Sequence, residues 1–213
     1  MNYKTHFKKF GGEQIPDIIE YLKEIIEREP TSTISVGCDS IQVRRRTIYA
    51  VTVMTYNTDL KNGAHVVFFR ESCPKIRDTQ ERLYKEAQYL HDVGTFINDE
   101  LEKFYIRTDI TDIERRKYKY HLLKSAGEFS ETLLHNEEGV MKNLTLTEAD
   151  RVEVKQIDLH VDFNPFPGPT SRNRSYTAYK SYVPWLRGLG YRVWCKPMAY
   201  SATSAADLLL KNS

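Results

Sequence analysis

Along residues 14–29, apolar side chains at Ile15, Ile18, Ile19, Leu22, Ile25 and Ile26 recur every three or four positions among charged residues. That spacing predicts an amphipathic helix with Pro16 in its first turn. The period then changes to two. Over residues 34–40, Ile34, Val36 and Cys38 share one face and Ser35, Gly37 and Asp39 the other, which predicts a buried strand delivering an acid at its end. Its second face is small, leaving room for something to approach. Arg44, Arg45 and Arg46 mark a turn, and the β-branched and aromatic residues 47–56 predict a second strand. After a turn over residues 57–63, the apolar run 66–69 predicts a third, and the short connections imply an antiparallel meander.

A long helix follows over residues 78–104, with Leu83, Ala87, Leu90, Gly94, Ile97, Leu101 and Phe104 as its buried stripe. At about 100° per residue, Glu86 falls at the edge of that stripe, whereas Glu81 and Asp92 lie nearly opposite. Residues 106–149 show no sustained period and read as an insertion, with a charged stretch at 114–117 and a short helix around 129–134. Alternation returns over residues 151–164, where Ile157, Leu159, Val161 and Phe163 face one way and Asp158, His160, Asp162 and Asn164 the other. Like the Asp39 strand, this one ends in an acid followed by a break, here the Pro-rich residues 165–169. A loop and helix over 171–190, packing through Tyr179, Tyr182, Val183 and Leu186, lead to a short strand at 191–196. A small-residue helix over 200–210 then carries Asp207. Ser204 and Asp207 also have the spacing of a capping box, the purely structural role for that acid.

Three antiparallel strands, a long helix, then strand, helix, strand and helix imply a mixed sheet, because a strand–helix–strand crossover runs parallel. With acids Asp39, Glu86, Asp162 and Asp207 on the first strand, the long helix, the fourth strand and the last helix, the order is that of a ribonuclease H-like α/β fold. The expectation is a mixed five-stranded sheet flanked by helices, in one domain over residues 1–213. Residues 1–30 form an N-terminal helical extension, and residues 106–149 an insertion before the fourth strand.

At 213 residues and 40% hydrophobic composition the chain can build such a core. Its formal charge of +2, from 31 basic and 29 acidic side chains, excludes a strongly basic coat or an acidic tail. The three cysteines lack C-x-x-C spacing, which argues against a disulfide framework or zinc site and for a reducing, cytoplasmic setting. No run reaches the roughly 18 apolar residues of a membrane span. Four converging carboxylates repel unless cations neutralise them. Two divalent ions about 4 Å apart can hold a phosphodiester, activate a water and stabilise the leaving oxygen. All-oxygen ligands point to Mg2+ or Mn2+.

Several stretches together carry a family resemblance: residues 160–165 (His160-Val-Asp-Phe-Asn-Pro165), 188–191 (Gly-Leu-Gly-Tyr), 196–199 (Lys-Pro-Met-Ala) and 201–207. The chain resembles the ribonuclease H-like nucleases typified by YkuK. In that family a Gly-x-Asp-Ser strand comes first, matched here by residues 37–40, and a helical Glu follows the third strand, matched by Glu86. The resemblance covers residues 34–207 apart from 106–149. It implies a two-metal site of Asp39, Glu86, Asp162 and Asp207, with Asp158 the chief competitor. His160, Asn164 and Ser40 are candidates to orient the ligands, and Lys196, Arg172 and Arg174 to hold phosphates of RNA or an RNA–DNA hybrid. The competing expectation is a non-catalytic module of the same fold that binds protein or nucleic acid. A phosphotransferase on a related actin-like fold is disfavoured by the absence of a Gly-rich phosphate loop.

Overall fold

The computed structural model describes residues 3–57, 59, 63–106, 110–128, 137–147, 154–167 and 174–211. In chain order these form β1 (Lys8–Lys9), α1 (Ile18–Arg28), β2 (Ser32–Val43), β3 (Arg46–Asn57), β4 (Ala64–Pro74) and α2 (Thr79–Leu101). There follow α3 (Asp112–Ser125), α4 (Glu137–Asn143), β5 (Asp158–Val161), α5 (Arg174–Gly188) and β6 (Arg192–Trp194). A π-helical turn (Ser201–Ala206) then runs into α6 (Asp207–Lys211).

The sheet has six strands in the order β1-β4-β3-β2-β5-β6 rather than the expected five. The extra strand is β1, two residues that pair antiparallel with Phe68 and Val67 at the edge of β4. The meander β2-β3-β4 is antiparallel, whereas β5 and β6 run parallel to β2. The sheet is therefore mixed, and β2 is the strand where the two modes meet.

Alternation along β2 sorts the interior. Ile34, Val36 and Cys38 join the main core with Leu90, Val93 and Ile97 of α2 and Ile18 and Leu22 of α1. The opposite face is covered by a smaller cluster in which Ala50 and Phe68 meet Ala206, Leu209 and Leu210 of the last helical segment.

Several boundaries differ from the periodicity. α1 starts at Ile18, because Asp17 caps it by accepting the Ile19 N–H at 2.8 Å, and Pro16 lies outside. The strand expected from residue 151 is described as a strand only from Asp158. Just before it, the Lys155 and Gln156 N–H groups donate to Gly190 O and to Asn98 Oδ1 rather than to a sheet neighbour. The charged stretch 114–117 lies within α3, which opens on a capping box between Thr111 and Glu114. The short helix expected around 129–134 lies outside the described residues. The final segment starts as a π-turn with no side-chain cap, so the capping role for Ser204 and Asp207 is replaced by an Asp207–Lys211 pair.

Candidate active site

β5 pairs with β2 from Ser35–Asp158 to Cys38–Val161, and there the ladder stops. The next residue on each strand is an acid, so Asp39 and Asp162 stand side by side where the two strands part. Asp39 is not at the end of its strand, as the pattern suggested. β2 continues to Val43 along β3, and Asp39 is where its other neighbour is lost. Asp39 Oδ1 accepts the Ser40 N–H at 2.7 Å. The Lys196 ammonium lies 2.8 Å from Asp162 Oδ1, an ion pair off the line of a directed hydrogen bond.

Ser40 points to the opposite face from Asp39, toward α2. Its hydroxyl donates to Glu86 Oε1 at 2.5 Å and accepts from Arg82 Nη1 at 2.6 Å. Glu86 is only 1% exposed, with Arg82 3.6 Å from its carboxylate. One serine thus ties two acids together, Asp39 through its backbone and Glu86 through its side chain.

Asp207 reaches this region because of the π-turn. A Cβ built on Gly37 would lie 2.4–2.6 Å from the backbone of Ser201 and Ala202, so the small face of β2 is filled by the chain itself. Thr52 Oγ1 donates to Ser201 O at 2.8 Å, and the Ser201 N–H donates to His160 Nδ1 at 3.2 Å. His160 therefore positions the turn that carries Asp207 rather than a carboxylate directly. Burial holds its imidazole down at about 4, so it is neutral. Asp207 Oδ2 accepts from Lys211 Nζ at 2.5 Å.

The four carboxylates share one electrostatic neighbourhood. Burial, then the charges of Asp162 and Asp207, raise Asp39 to about 6 against the pull of the Ser40 N–H and Arg82. Burial and the charge of Asp39 raise Glu86 to about 8, opposed by the Ser40 hydroxyl and Arg82. Asp162 is raised by burial and by Asp207, and lowered by Lys196. Burial is the largest cause in each case and the neighbouring carboxylates add to it, so the acids resist ionising despite Arg82 and Lys196.

Among the described residues, no three His, Cys, Asp or Glu side chains converge closely enough to hold an ion as they stand. The side-chain directions explain this: Glu86 is turned to Ser40 and Arg82, and Asp162 and Asp207 are turned to lysines. The donor set nonetheless suits a hard divalent cation, since it is all carboxylate and positive side chains already occupy the places next to it. Asp158, the competing acid, is 5% exposed and accepts from Trp194 Nε1 at 3.0 Å on the other side of the π-turn.

Of the remaining candidates, Asn164 accepts the Phe166 N–H, a local turn. The Arg174 guanidinium donates to Thr79 Oγ1 at 2.9 Å, tying the start of α5 to the start of α2. Arg172 lies outside the described residues. Sequence reasoning missed Arg82 and Lys211. Each sits four positions from an acid on its helix, and that spacing was the available signal.

The sheet order β4-β3-β2-β5-β6, with acids on the central strand and its parallel neighbour, agrees with a family model described as Ribonuclease H-like, which matches residues 16–211. The chain belongs to the ribonuclease H-like family. No curated protein and no solved structure gave a match. As a ribonuclease H-like protein it has a nuclease-type fold, and its α3 and α4 stand between the long helix and the fourth strand of the family order. No helix among the described residues is long and apolar enough to cross a membrane.

Proposed function

We propose that this ribonuclease H-like protein is a divalent-metal-dependent nuclease that hydrolyses phosphodiester bonds in RNA or an RNA–DNA hybrid. The observation that carries the reading is the pairing of Asp39 with Asp162 where β2 and β5 part, with Asp39 raised to about 6 by burial and by the charges of Asp162 and Asp207. Buried acids kept together at an electrostatic cost are the mark of a site that works with a cation.

Asp39, Glu86, Asp162 and Asp207 would hold two Mg2+ or Mn2+ ions, which supply Lewis-acid activation of the phosphodiester and of the attacking water. The protein's own groups prepare that arrangement. Ser40 fixes the positions of Asp39 and Glu86 relative to each other, and Arg82 keeps the Ser40 hydroxyl aimed. Lys196 and Lys211 hold Asp162 and Asp207 as cations in waiting, and on release each ammonium is free to contact a phosphate.

One observation favours a second reading, a module that binds without cleaving: these lysines already pair with two of the acids. The deciding measurement is cleavage of labelled single-stranded RNA, RNA–DNA hybrid and DNA with Mg2+ or Mn2+. Cleavage of RNA or hybrid that disappears in Asp39→Asn is expected. Failure to cut any of them with either metal, or an Asp39→Asn protein as active as the parent, would overturn the nuclease reading.

A further inference from the structure

On the far side of the π-turn from the acids, the same sheet face forms a cavity of about 430 Å3. Its floor spans four strands in register: Thr33 lies opposite Tyr56, Ser35 is flanked by Met54 and Asp158, and His160 is flanked by Gly37 and Trp194. Met198 and Tyr200, leading into the π-turn, close one side. The volume suits a small organic ring system, and the sidewalls are aromatic.

The polar groups restrict what that ring system is. The Thr33 and Ser35 hydroxyls donate to Tyr56 O at 3.2 Å and Met54 O at 3.4 Å, which leaves each oxygen as an acceptor. His160 accepts the Ser201 N–H at Nδ1, so its own proton is on Nε2, a single donor on a ring that lines the cavity. Asp59 and Asp158 bring negative charge, while Arg192 is drawn to Asp158 at 3.8 Å and to Glu114 at 2.7 Å. A phosphate is therefore disfavoured. What fits is a flat, uncharged ring offering several N–H donors and one carbonyl acceptor. The Trp194 indole has its N–H held by Asp158 at 3.0 Å and the Arg192 guanidinium over its ring at 5.9 Å from the centroid, so it is the face away from Arg192 on which such a ring stacks.

We propose that this cavity is a nucleobase site that takes an unpaired guanine, with O6 on the His160 Nε2–H, the N1–H and amino group toward the acceptor side, and the ring stacked on Trp194 against Tyr200. Adenine lacks the carbonyl, and uracil offers one N–H donor in place of three. The pocket shares β2 with the acids, with Ser35 four residues before Asp39. At about 3.3 Å per residue that is roughly 13 Å, the span of two to three nucleotides of a single strand. The identification of the base as part of a nucleic-acid strand rests on the nuclease reading; binding of the base itself does not. The substrate this selects is a strand with an unstacked guanine a few nucleotides from the cut.

The test is titration of the full chain, without divalent ions, with guanosine, adenosine, cytidine and uridine, followed by calorimetry. Guanosine is expected to bind at least about tenfold more tightly than adenosine or uridine. Base–aromatic stacking is worth about 1–3 kcal/mol, so Trp194→Leu should weaken guanosine binding by roughly 5- to 150-fold, and Trp194→Phe should retain most of it. Tyr200→Ala, at a residue 51% exposed, gives a second variant that removes an aromatic wall without opening the core. No saturable nucleoside binding, equal binding of all four, or affinity unmoved by both Trp194→Leu and Tyr200→Ala would overturn the proposal. Guanosine binding without nuclease activity leaves the pocket standing and removes the nuclease. Cleavage without guanosine binding does the reverse.

Discussion

Ser40 is the residue through which the site is organised, because it gives its N–H to Asp39 and its hydroxyl to Glu86 on opposite faces of one strand. The two acids it joins set the expected pH behaviour. Both are raised in the folded protein, from 3.8 to about 6 for Asp39 and from 4.5 to about 8 for Glu86, by burial first and then by neighbouring charge. Below about pH 3 both states are protonated and neither acid costs anything. As pH rises toward 8, the unfolded chain ionises freely while the folded one resists, so metal-free stability falls across that window. Asp39→Asn should therefore be neutral near about pH 3 and stabilising by about 1–2 kcal/mol at pH 8, allowing for partial exposure. Urea denaturation at both pH values in the presence of EDTA checks this, and destabilisation at pH 8 would mean that Asp39 is a structural hydrogen-bonding group. Lys196 gives a companion expectation. With its ammonium 2.8 Å from Asp162, it competes with any cation there, so Lys196→Met should tighten Mn2+ binding measured by calorimetry. Weaker Mn2+ binding in that variant would instead place Lys196 among the groups that support the ion. The acids themselves were legible in the sequence, as polar positions interrupting hydrophobic alternation at strand breaks and helix edges. Of their basic partners Lys196 was singled out, but Arg82 and Lys211 were not, because a charged side chain on a helix has the same pattern whether it meets solvent or an acid.

Among the elements, the π-turn on β2 has the sharpest consequence. Gly37 is the point of closest approach, and an added methyl would sit within 2.6 Å of main-chain atoms that have no rotamer to change. Gly37→Ala should destabilise the protein by about 2–3 kcal/mol, measurable by urea denaturation. It should also displace Asp207 and weaken Mn2+ binding, whereas parental stability would show that the turn does not press on β2. The meander, the long helix and the strand–helix–strand half were readable because their periods of two and 3.6 run uninterrupted. α3 was not, since Ile113 and Leu122 are 63% and 45% exposed and only Tyr118 and Tyr120 are buried, so no apolar stripe exists to be seen. Nor was the short extent of β5 among the described residues, because alternation continues through residues whose N–H groups bond elsewhere. The small face of β2 was visible as small, but what fills it comes from the distant Ser201–Ala206 turn, a relation no local period carries.

At the scale of the molecule, the sheet holds acids on one side of the π-turn and an aromatic cavity on the other, while α3 is tied to the far edge by Glu114 and Arg192 at 2.7 Å. If the acids take up Mg2+ only in the folded state, stability must rise with ion concentration. At one hundred times the dissociation constant the gain is about 2.7 kcal/mol. Thermal unfolding should show that gain in the parent and its absence in Asp162→Asn; an equal gain in both would place the ions elsewhere. The hydrogen bond from Thr52 to Ser201 joins residues 149 positions apart. At about 5–20 residues per second of synthesis, roughly seven to thirty seconds separate the appearance of the two partners at the ribosome. For that interval β2 is already made while the segment that covers Gly37 and brings Asp207 is not. A site built this way is incomplete while the chain is still being made past that point, and is assembled only once the later segment has closed over the earlier strand.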